Sequence, residues 1–517
     1  MKKYLSPLLI LFLAVYGLSA LAADNPTVKT PAADNTTPPK AEKSVTQGSV
    51  TVEGQRIDYD ATAGTIILKN KDGKPTGSMF YVAYTKRGVK DENSRPVTFF
   101  YNGGPGSSTV WLHMGAFGPH RVQTADHTHT PAAPYMLVNN DYSLLDVTDE
   151  VFIDAMGTGY SRIIGKDEGG VGEPKDFYGI DADTASFAQF ISSYLSENGR
   201  WNSPKYLFGE SYGTTRSAAL VNYLEQNDDM DLNGVILLSS ILDFRTASFN
   251  AGNDLPFELF LPSYTAVAWY HHKLPNQPAD LQPFLQQVQQ FAMSDYAQAL
   301  DAGNTLSDSQ RDAVAAKLHE YTGLSTAYIV KANLRVTAGQ FEHQLLNDQD
   351  LTTGRLDARF TGPSMDPLSE GAYYDPQSAA ISSAYVSAFN DYAHNTLKFG
   401  RDKPYLPEAF HKWDWKHENP ENGQAWPGLP NVAVDLSEAM KYNPNLQVLV
   451  NNGYFDLATP YFATDYTMDH LQIPKDLQSH VHMAYYDSGH MVYVHVPALK
   501  KLHDNAAAFI KSTDNLQ

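Results

Sequence analysis

The sequence predicts an α/β fold in which a mostly parallel central sheet is flanked by helices and carries an inserted, largely helical cap. Short apolar runs such as PVTFFYN, EVFIDAM, KYLFG and VILLSS are typical of strands buried on both faces of a parallel sheet. Helix-compatible segments separate these runs, as in doubly wound sheets. From about residue 245 to 430, helical segments rich in Gln, Ala and Tyr interrupt the alternation, which indicates an insertion.

The first 22 residues predict a secretory signal peptide. A basic start and an apolar stretch lead to a small-residue site, with cleavage expected after Ala22. An uncleaved anchor helix is the alternative, but Ser6, Pro7 and Gly17 interrupt the apolar stretch, and no stop-transfer charges follow. We therefore expect an exported protein, periplasmic or extracellular, with no integral membrane segment after cleavage.

The rest of the chain divides by composition. Pro, Thr, Ala and Lys dominate the segment after the signal, which cannot bury enough apolar surface to order itself. Alternating runs from Gly48 onward predict antiparallel strands. The predicted division is signal peptide 1–22, disordered linker 23–45, first core segment 46–244, cap insertion 245–430 and second core segment 431–517.

Composition restricts the partners. The formal charge of −20 disfavours nucleic acid and anionic membranes, so a small molecule or peptide is the expected partner. The absence of cysteine rules out disulfides, thiolate metal sites and a cysteine nucleophile. The string GTGYSR lacks the third glycine of a dinucleotide loop, and DDMDLNG lacks the closing glutamate of a calcium loop. We expect no cofactor and no metal, and the oligomeric state is open.

The string GESYG, residues 209–213, predicts a nucleophilic serine. The buried run KYLF precedes it and the helix-compatible TTRSAALVNYLEQ follows, so Ser211 lies on a strand-to-helix turn. Gly209 and Gly213 relieve crowding there, and the helix N-terminus favours developing negative charge. A plain turn is the alternative if the motif stands alone.

A catalytic serine needs a histidine base and an orienting carboxylate. Downstream of Ser211, the run LQVLVNNGYFDLATP places Asp456 just past a buried strand. HMAYYDSGHMV then places His490 just past the next. The order Ser, acid, His is that of α/β-hydrolases.

Four other residues compete with this assignment. Asp487 is nearer to the histidine in sequence, but it lies in the same turn and would have to fold back. His480 and His482 would share one face of a strand and could bind a metal, although no carboxylate is spaced to help. His495 is interpreted as a structural histidine, in the core or at the surface, whose ring nitrogens have hydrogen-bond partners.

An oxyanion hole requires two main-chain N–H donors. The residue after the nucleophile, Tyr212, supplies one. The glycine-rich loop in VTFFYNGGPGSS, residues 97–108, follows an early core strand and is expected to supply the other.

Five segments together resemble the serine carboxypeptidase family of the α/β-hydrolase superfamily: YNGGPGSS, FIDAMGTGYSR, FGESYGTTRSAAL, NNGYFDLATP and YYDSGHM. They occur in the family's order and span residues 101–491. The resemblance implies a triad of Ser211, Asp456 and His490, with the N–H groups of Gly104 and Tyr212 as the oxyanion hole.

The resemblance also implies that Asn102, Gly103 and Glu210 bind the free C-terminal carboxylate of a peptide substrate. Two carboxyl groups can share a hydrogen bond only if one is protonated, so binding should favour acidic pH. The chain departs from the family at Ser107, where many relatives have cysteine. It also lacks a second family glutamate, since TVWLHMGAFGPH contains no acid.

Three functions follow as hypotheses. The first is an exported serine carboxypeptidase acting through an acyl-enzyme. The second is an esterase or acyltransferase with the same triad, because the fold hosts many chemistries. The third is a binding protein with an inert site, against which the complete triad argues.

Overall fold

The computed structural model describes residues 37–409, 411–420, 423–426 and 429–516. The predicted signal peptide lies outside these described residues. Among the helices of the described segments, none combines the length and the apolar character needed to span a bilayer.

The strands of the described chain are numbered in chain order. They are β1 Lys43–Val52, β2 Gln55–Lys69, β3 Pro75–Lys86, β4 Val97–Tyr101, β5 His120–Val122, β6 Leu137–Asn139, β7 Asp149–Ile153, β8 Arg162–Ile163, β9 Lys205–Glu210, β10 Gly234–Leu238, β11 Leu351–Thr353, β12 Thr361–Pro363, β13 His417–Glu418, β14 Ala425–Trp426, β15 Gln447–Gly453 and β16 Val481–Tyr486.

The α-helices are numbered in the same way. They are α1 Ile180–Glu197, α2 Tyr212–Asn227, α3 Leu255–Tyr270, α4 Leu281–Phe291, α5 Ala297–Ala302, α6 Asp308–Thr322, α7 Thr326–Lys331, α8 Ala338–Gln344, α9 Pro376–Asn395, α10 Ala433–Tyr442, α11 Tyr461–Asp469 and α12 Val496–Thr513.

The largest sheet of the described chain has the order β1-β2-β3-β7-β4-β9-β10-β15-β16, with β8 beside β3. The six strands from β7 to β16 pair in parallel, and β1, β2 and β3 pair antiparallel. The predicted mostly parallel sheet is therefore confirmed. Catalytic groups are expected at the carboxyl ends of its parallel strands.

Both faces of the sheet are buried, which explains why its strands are continuous apolar runs. Phe99 and Leu207 point to the face covered by α1, α2 and α10. Their neighbours Phe100 and Phe208 point to the opposite face, which α9 and α12 cover. The alternation follows from the two-residue period of a strand.

The predicted insertion contains helices of two kinds. Helices α3 to α8 share an apolar cluster of their own, which also takes in Phe455 and Tyr461 from the segment after β15. Helix α9 instead buries Tyr385, Phe389 and Tyr392 in the core of the sheet. Composition alone does not show which core a helix joins, and the division at 245 and 430 stays a prediction.

The first strand begins earlier than the pattern predicts. Residues 43–45, assigned to the disordered linker, belong to β1 and pair with β2 from Lys43 onward. The Ser44 hydroxyl also donates to the Leu397 carbonyl at 2.7 Å. This correction has a physical reason: partners distant in sequence order a segment whose own composition is polar.

Candidate active site

The carboxyl ends of four parallel strands surround a cavity of about 380 Å³. The glycine loop follows β4, the serine follows β9, and the predicted acid and base follow β15 and β16. Of the residues singled out from the sequence, the cavity is lined by Asn102, Gly103, Gly104, Glu210, Ser211, Tyr212 and His490. Asp456 does not line it, because it lies behind His490.

Ser211 lies on the strand-to-helix turn that the sequence predicts. Its backbone has φ 60° and ψ −131°, an unusual conformation for a residue other than glycine. The Ser211 N–H donates to the Leu238 carbonyl on β10 at 3.0 Å. The Ser211 carbonyl accepts from the Thr214 N–H at 2.8 Å and from the Thr214 hydroxyl at 2.7 Å. These bonds hold the strained turn in place.

Glycines are required around this turn because other chain segments approach it closely. A Cβ at Gly209 would lie 2.5 Å from the Ser217 hydroxyl, and one at Gly213 would lie 2.8 Å from the Tyr101 carbonyl. A Cβ at Gly103 would collide with the Tyr212 main-chain nitrogen. The glycine loop therefore packs directly against the serine turn.

Arg216 ties the helix after Ser211 to the glycine loop. Its guanidinium donates to the buried Asp183 carboxylate at 2.7 Å and to the Asn102 carbonyl at 2.8 Å. It also lies over the Phe187 ring, 4.2 Å from the centroid. Since all these groups are buried, the pair fixes α2, α1 and the loop after β4 relative to one another.

Asp456 and His490 form the predicted acid–base pair. The His490 Nδ1 and Asp456 Oδ2 atoms are 2.8 Å apart, and Asp456 is fully buried. Burial alone would lower the pKa of His490, but the neighbouring Asp456 outweighs it and the pKa is raised. In the described residues no hydrogen bond joins His490 to Ser211, although both line the cavity.

Thr459, which sequence reasoning missed, orients this pair. Its hydroxyl donates to Asp456 Oδ2 at 2.8 Å and lies 3.1 Å from His490 Nδ1. Asp456 Oδ1 accepts from the N–H groups of Ala458 and Thr459, at 2.8 and 3.0 Å. The carboxylate therefore has one orientation, with Oδ2 directed to the histidine.

The predicted oxyanion donors are also available. Tyr212 is the first residue of α2, where helix N–H groups have no partner within the helix. Gly104 lies in the glycine loop at φ 105° and lines the same cavity. Neither N–H donates a hydrogen bond within the described part of the chain, so both can stabilise a negative oxygen near Ser211.

Glu210 is a buried acid at the cavity wall, only 3% exposed. Its Oε2 accepts a hydrogen bond from the Tyr493 hydroxyl at 2.8 Å, and the Asn102 amide also donates to it. Burial raises the pKa of Glu210 to about 7, although the nearby His490 and these two donors act to lower it. The carboxyl group thus titrates near neutral pH.

A segment of the insertion connects the acid and base loops. We call residues 354–360 the brace. The His490 N–H donates to the Leu356 carbonyl of the brace at 2.6 Å. Two further main-chain bonds, each 3.0 Å, join the brace to the loop after β15: Leu457 N–H to the Arg355 carbonyl, and Ala358 N–H to the Phe455 carbonyl. The brace therefore links both halves of the acid–base pair.

Arg359 reinforces the brace from inside. Its guanidinium pairs with Asp357 at 2.6 Å and with Asp126 at 3.3 Å, and it donates to the Ser488 hydroxyl at 3.4 Å. Ser488 is two residues before His490. The arginine thus joins the brace to the histidine loop through side chains as well as through the main chain.

Replacing Gly489 by alanine is expected to disturb both stability and catalysis. The added Cβ would lie 2.5 Å from the Asp357 Cα, so the brace must move away from His490. Overpacking of this kind destabilises folded proteins by about 1 to 3 kcal/mol. We expect a lower urea midpoint and a kcat reduced at least about tenfold, by displacement of the base.

Gly339→Ala is the matched control. No heavy atom lies within 4 Å of a Cβ added there, in α8. This variant should keep the wild-type kcat and urea midpoint. Unchanged kcat in Gly489→Ala would show that the brace does not position His490.

The competing residues lie elsewhere. Asp487 is exposed, so it does not orient His490. His495 pairs with Asp126 at 2.8 Å. His482 is exposed and lies 3.1 Å from the side-chain oxygen of Gln447. None of these three lines the cavity around Ser211.

Ser107, where many relatives have cysteine, also lines the cavity. Its hydroxyl accepts a hydrogen bond from the indole N–H of Trp111 at 2.8 Å. Trp111 packs in turn on Tyr385 of α9, with ring centroids 5.3 Å apart. Non-covalent contacts therefore hold the glycine loop against the α9 region.

Comparisons with known proteins agree with this architecture. A match to pheromone-processing carboxypeptidase KEX1 of Saccharomyces cerevisiae is 26% identical over 211 residues, which cover 38% of this chain and 27% of that protein. The crystal structure of Kex1Δp, a prohormone-processing carboxypeptidase from the same yeast, superimposes with a TM-score of 0.50 at 16% identity. It covers 88% of this chain and 92% of its own and confirms the α/β-hydrolase fold. The family model for serine carboxypeptidases matches residues 55–516. The chain therefore belongs to the serine carboxypeptidase family.

Proposed function

We propose that the protein is an exported serine carboxypeptidase that removes the C-terminal residue of peptides. The observation that carries this proposal is the buried Glu210 carboxyl, which shares the cavity with Ser211 and His490. A nucleophile beside a group able to bind a free carboxylate selects the last peptide bond of a chain. Family membership supports the same reaction.

The geometry supports an acyl-enzyme mechanism. Ser211 Oγ attacks the scissile carbonyl carbon while His490 Nε2 takes its proton, and Asp456 stabilises the imidazolium through Nδ1. The N–H groups of Gly104 and Tyr212 stabilise the tetrahedral oxyanion. The imidazolium then protonates the leaving amine, and the C-terminal amino acid departs. Water, activated by His490, hydrolyses the ester on Ser211.

Substrate selection rests on Glu210 in its protonated form, together with Asn102 and Gly103. A neutral Glu210 can donate to the terminal carboxylate, whereas an ionised one would repel it. Loss of the Glu210 proton also raises the pKa of His490, because the two groups interact. Protonated Glu210 therefore favours substrate binding and keeps the pKa of His490 lower than an ionised Glu210 would, whereas stronger acid protonates the base. We place the best activity on free-carboxylate peptides on the acidic side of neutral pH.

Glu210→Gln tests this assignment through its pH dependence. In the wild-type enzyme, kcat/KM for an N-blocked dipeptide should fall as pH rises through about 7, where Glu210 loses its proton. A glutamine amide donates at every pH, so the variant should lose this fall. Its KM in acid should rise about tenfold, the order expected for one weakened hydrogen bond to a charged group.

The C-terminal methyl ester of the same dipeptide is the control, since it carries no terminal carboxylate. Its hydrolysis should be the same in both proteins at pH 5, where wild-type Glu210 is protonated. Unchanged peptide cleavage in Glu210→Gln, with the fall near pH 7 retained, would contradict the role given to Glu210.

The direct test of the activity is release of the C-terminal amino acid from an N-blocked dipeptide between pH 4 and 8. The C-terminally amidated peptide should be a poor substrate. Hydrolysis of a simple ester without release from the free-carboxylate peptide would instead favour the esterase or acyltransferase function.

Export is proposed from the sequence of residues 1–22, which lie outside the described residues. The signal pattern and the peptide substrates of the family together favour a periplasmic or extracellular site of action. N-terminal sequencing of the secreted protein should begin at Ala23. A mature protein that retains residues 1–22 in the membrane fraction would contradict export by cleavage.

A further inference from the structure

Tyr493 lies behind Glu210, on the side away from the cavity. It belongs to the 3₁₀ turn Val492–Val494 that follows the histidine loop. Glu210 lines the cavity and Tyr493 does not. The tyrosine is 2% exposed, and its hydroxyl donates to Glu210 Oε2 at 2.8 Å. The buried Tyr493 hydroxyl thus donates its hydrogen bond to one carboxyl oxygen of Glu210.

The direction of this hydrogen bond is fixed. Burial and the nearby Glu210 hold the pKa of Tyr493 well above its ordinary value, so the phenol keeps its proton throughout the working pH range. Glu210 Oε2 therefore acts as the acceptor whether or not Glu210 is protonated. When the acid takes up a proton, the better place for it is the other oxygen, Oε1, because the carbonyl oxygen of an acid is its stronger acceptor.

Asn102 supports the same arrangement. Its side-chain oxygen, Oδ1, accepts a hydrogen bond from the main-chain N–H of Leu112 at 3.0 Å, and this contact fixes the orientation of the side-chain amide. The amide nitrogen is left to donate to Glu210, where it acts with Tyr493 to lower the pKa of the acid. Tyr493 thus donates to Glu210 from the side away from the cavity, and a proton on Oε1 is free to point to the cavity.

We propose that Tyr493 is a positioning residue for substrate selection: it occupies Oε2 and so places the Glu210 proton on Oε1, where the proton is donated to the C-terminal carboxylate of the peptide. This inference rests on the proposed function. The phenol is a partner of Glu210 that adds no second titrating carboxyl. The selection step then depends on one proton only.

Other titratable groups also face Glu210. His490 and Asp456 approach it from the loops after β16 and β15, and Tyr385 approaches from α9. Arg355, Asp375 and Glu408 line the same cavity. In the described residues, Tyr493 is distinguished from Tyr385 by its hydrogen bond to Glu210. This difference provides a matched pair of variants.

Tyr493→Phe should change the binding of free-carboxylate substrates in a particular way. At pH 5 the KM for an N-blocked dipeptide should rise about tenfold, with kcat within about twofold, since one hydrogen bond to the selecting acid is lost. Loss of this donor also raises the pKa of Glu210, because the bond favours its ionised form. The pH at which peptide cleavage declines should therefore move upward. Hydrolysis of the C-terminal methyl ester at pH 5, where Glu210 is protonated in both proteins, should not change.

Tyr385→Phe should leave both the KM and the pH of decline at wild-type values. Calorimetric titration with an N-blocked amino acid, the free-carboxylate analogue of the substrate end, checks the binding effect without turnover. An equal rise of KM for peptide and ester in Tyr493→Phe, or a pH of decline that does not move, would overturn the proposal and leave Tyr493 as a packing residue. A wild-type enzyme that does not prefer free-carboxylate peptides would instead overturn the proposed function.

Discussion

Ser211→Ala is expected to lower kcat for both peptide and ester substrates by about 10⁶-fold, the loss found when a triad nucleophile is removed. The size follows from the mechanism, because without the hydroxyl no acyl-enzyme forms and water must attack directly. KM should change little, since the residues proposed to bind the terminal carboxylate, Asn102, Gly103 and Glu210, are all retained. Stopped assays with long incubation and purified variant measure this residual rate.

Ser382→Ala is the matched control for this variant. Ser382 lies on α9 and lines the same cavity, but it belongs to neither the serine turn nor the acid–base pair. Its removal should leave kcat within about threefold of wild type, as expected for a surface hydroxyl outside the reacting centre. Retention of more than a hundredth of the wild-type rate in Ser211→Ala would exclude Ser211 as the nucleophile.

The folded core could be predicted because its sequence signals are local. The run KYLF is buried on both faces of the sheet. The glycines of GESYG allow neighbouring chain segments to approach the turn closely, and the residues after them favour a helix. All three signals lie within residues 205–227. Strand, turn and helix therefore follow from chemistry that the sequence displays in one place, and so does the position of Ser211.

The supporting contacts of the site could not be predicted in this way. Tyr493 meets Glu210 across 283 residues, and His490 meets the Leu356 carbonyl from a different element of the chain. The hydrogen bonds of the brace join main-chain N–H and carbonyl groups, so no particular side chain in the sequence indicates them. Asp456 offered a partial signal, because aspartate side chains commonly accept hydrogen bonds from main-chain N–H groups shortly after them, as Asp456 does from Ala458 and Thr459.

The cap shows the limit of composition as a guide. The segment from 245 to 430 reads as one insertion, yet α9 packs in the core of the sheet while α3 to α8 form a separate cluster. Helix α9 also supplies residues of the cavity wall. The insertion therefore forms part of the cavity wall, through α9, and contacts the histidine loop, through the brace.

Asp456→Asn is expected to lower kcat by about 10⁴-fold, as loss of the triad carboxylate does in other serine hydrolases. Asp456 Oδ1 accepts from two main-chain N–H groups, so the new amide NH₂ cannot take that position without opposing them. It must face Thr459 and His490 at the position of Oδ2. There it donates to His490 Nδ1 and forces the proton of the ring onto Nε2, which can then no longer accept the Ser211 proton.

Asp487→Asn is the control for this variant. Asp487 lies in the histidine loop but is exposed, so its replacement should keep the wild-type kcat. A loss smaller than about tenfold in Asp456→Asn would mean that Thr459, rather than the carboxylate, sets the tautomer of His490.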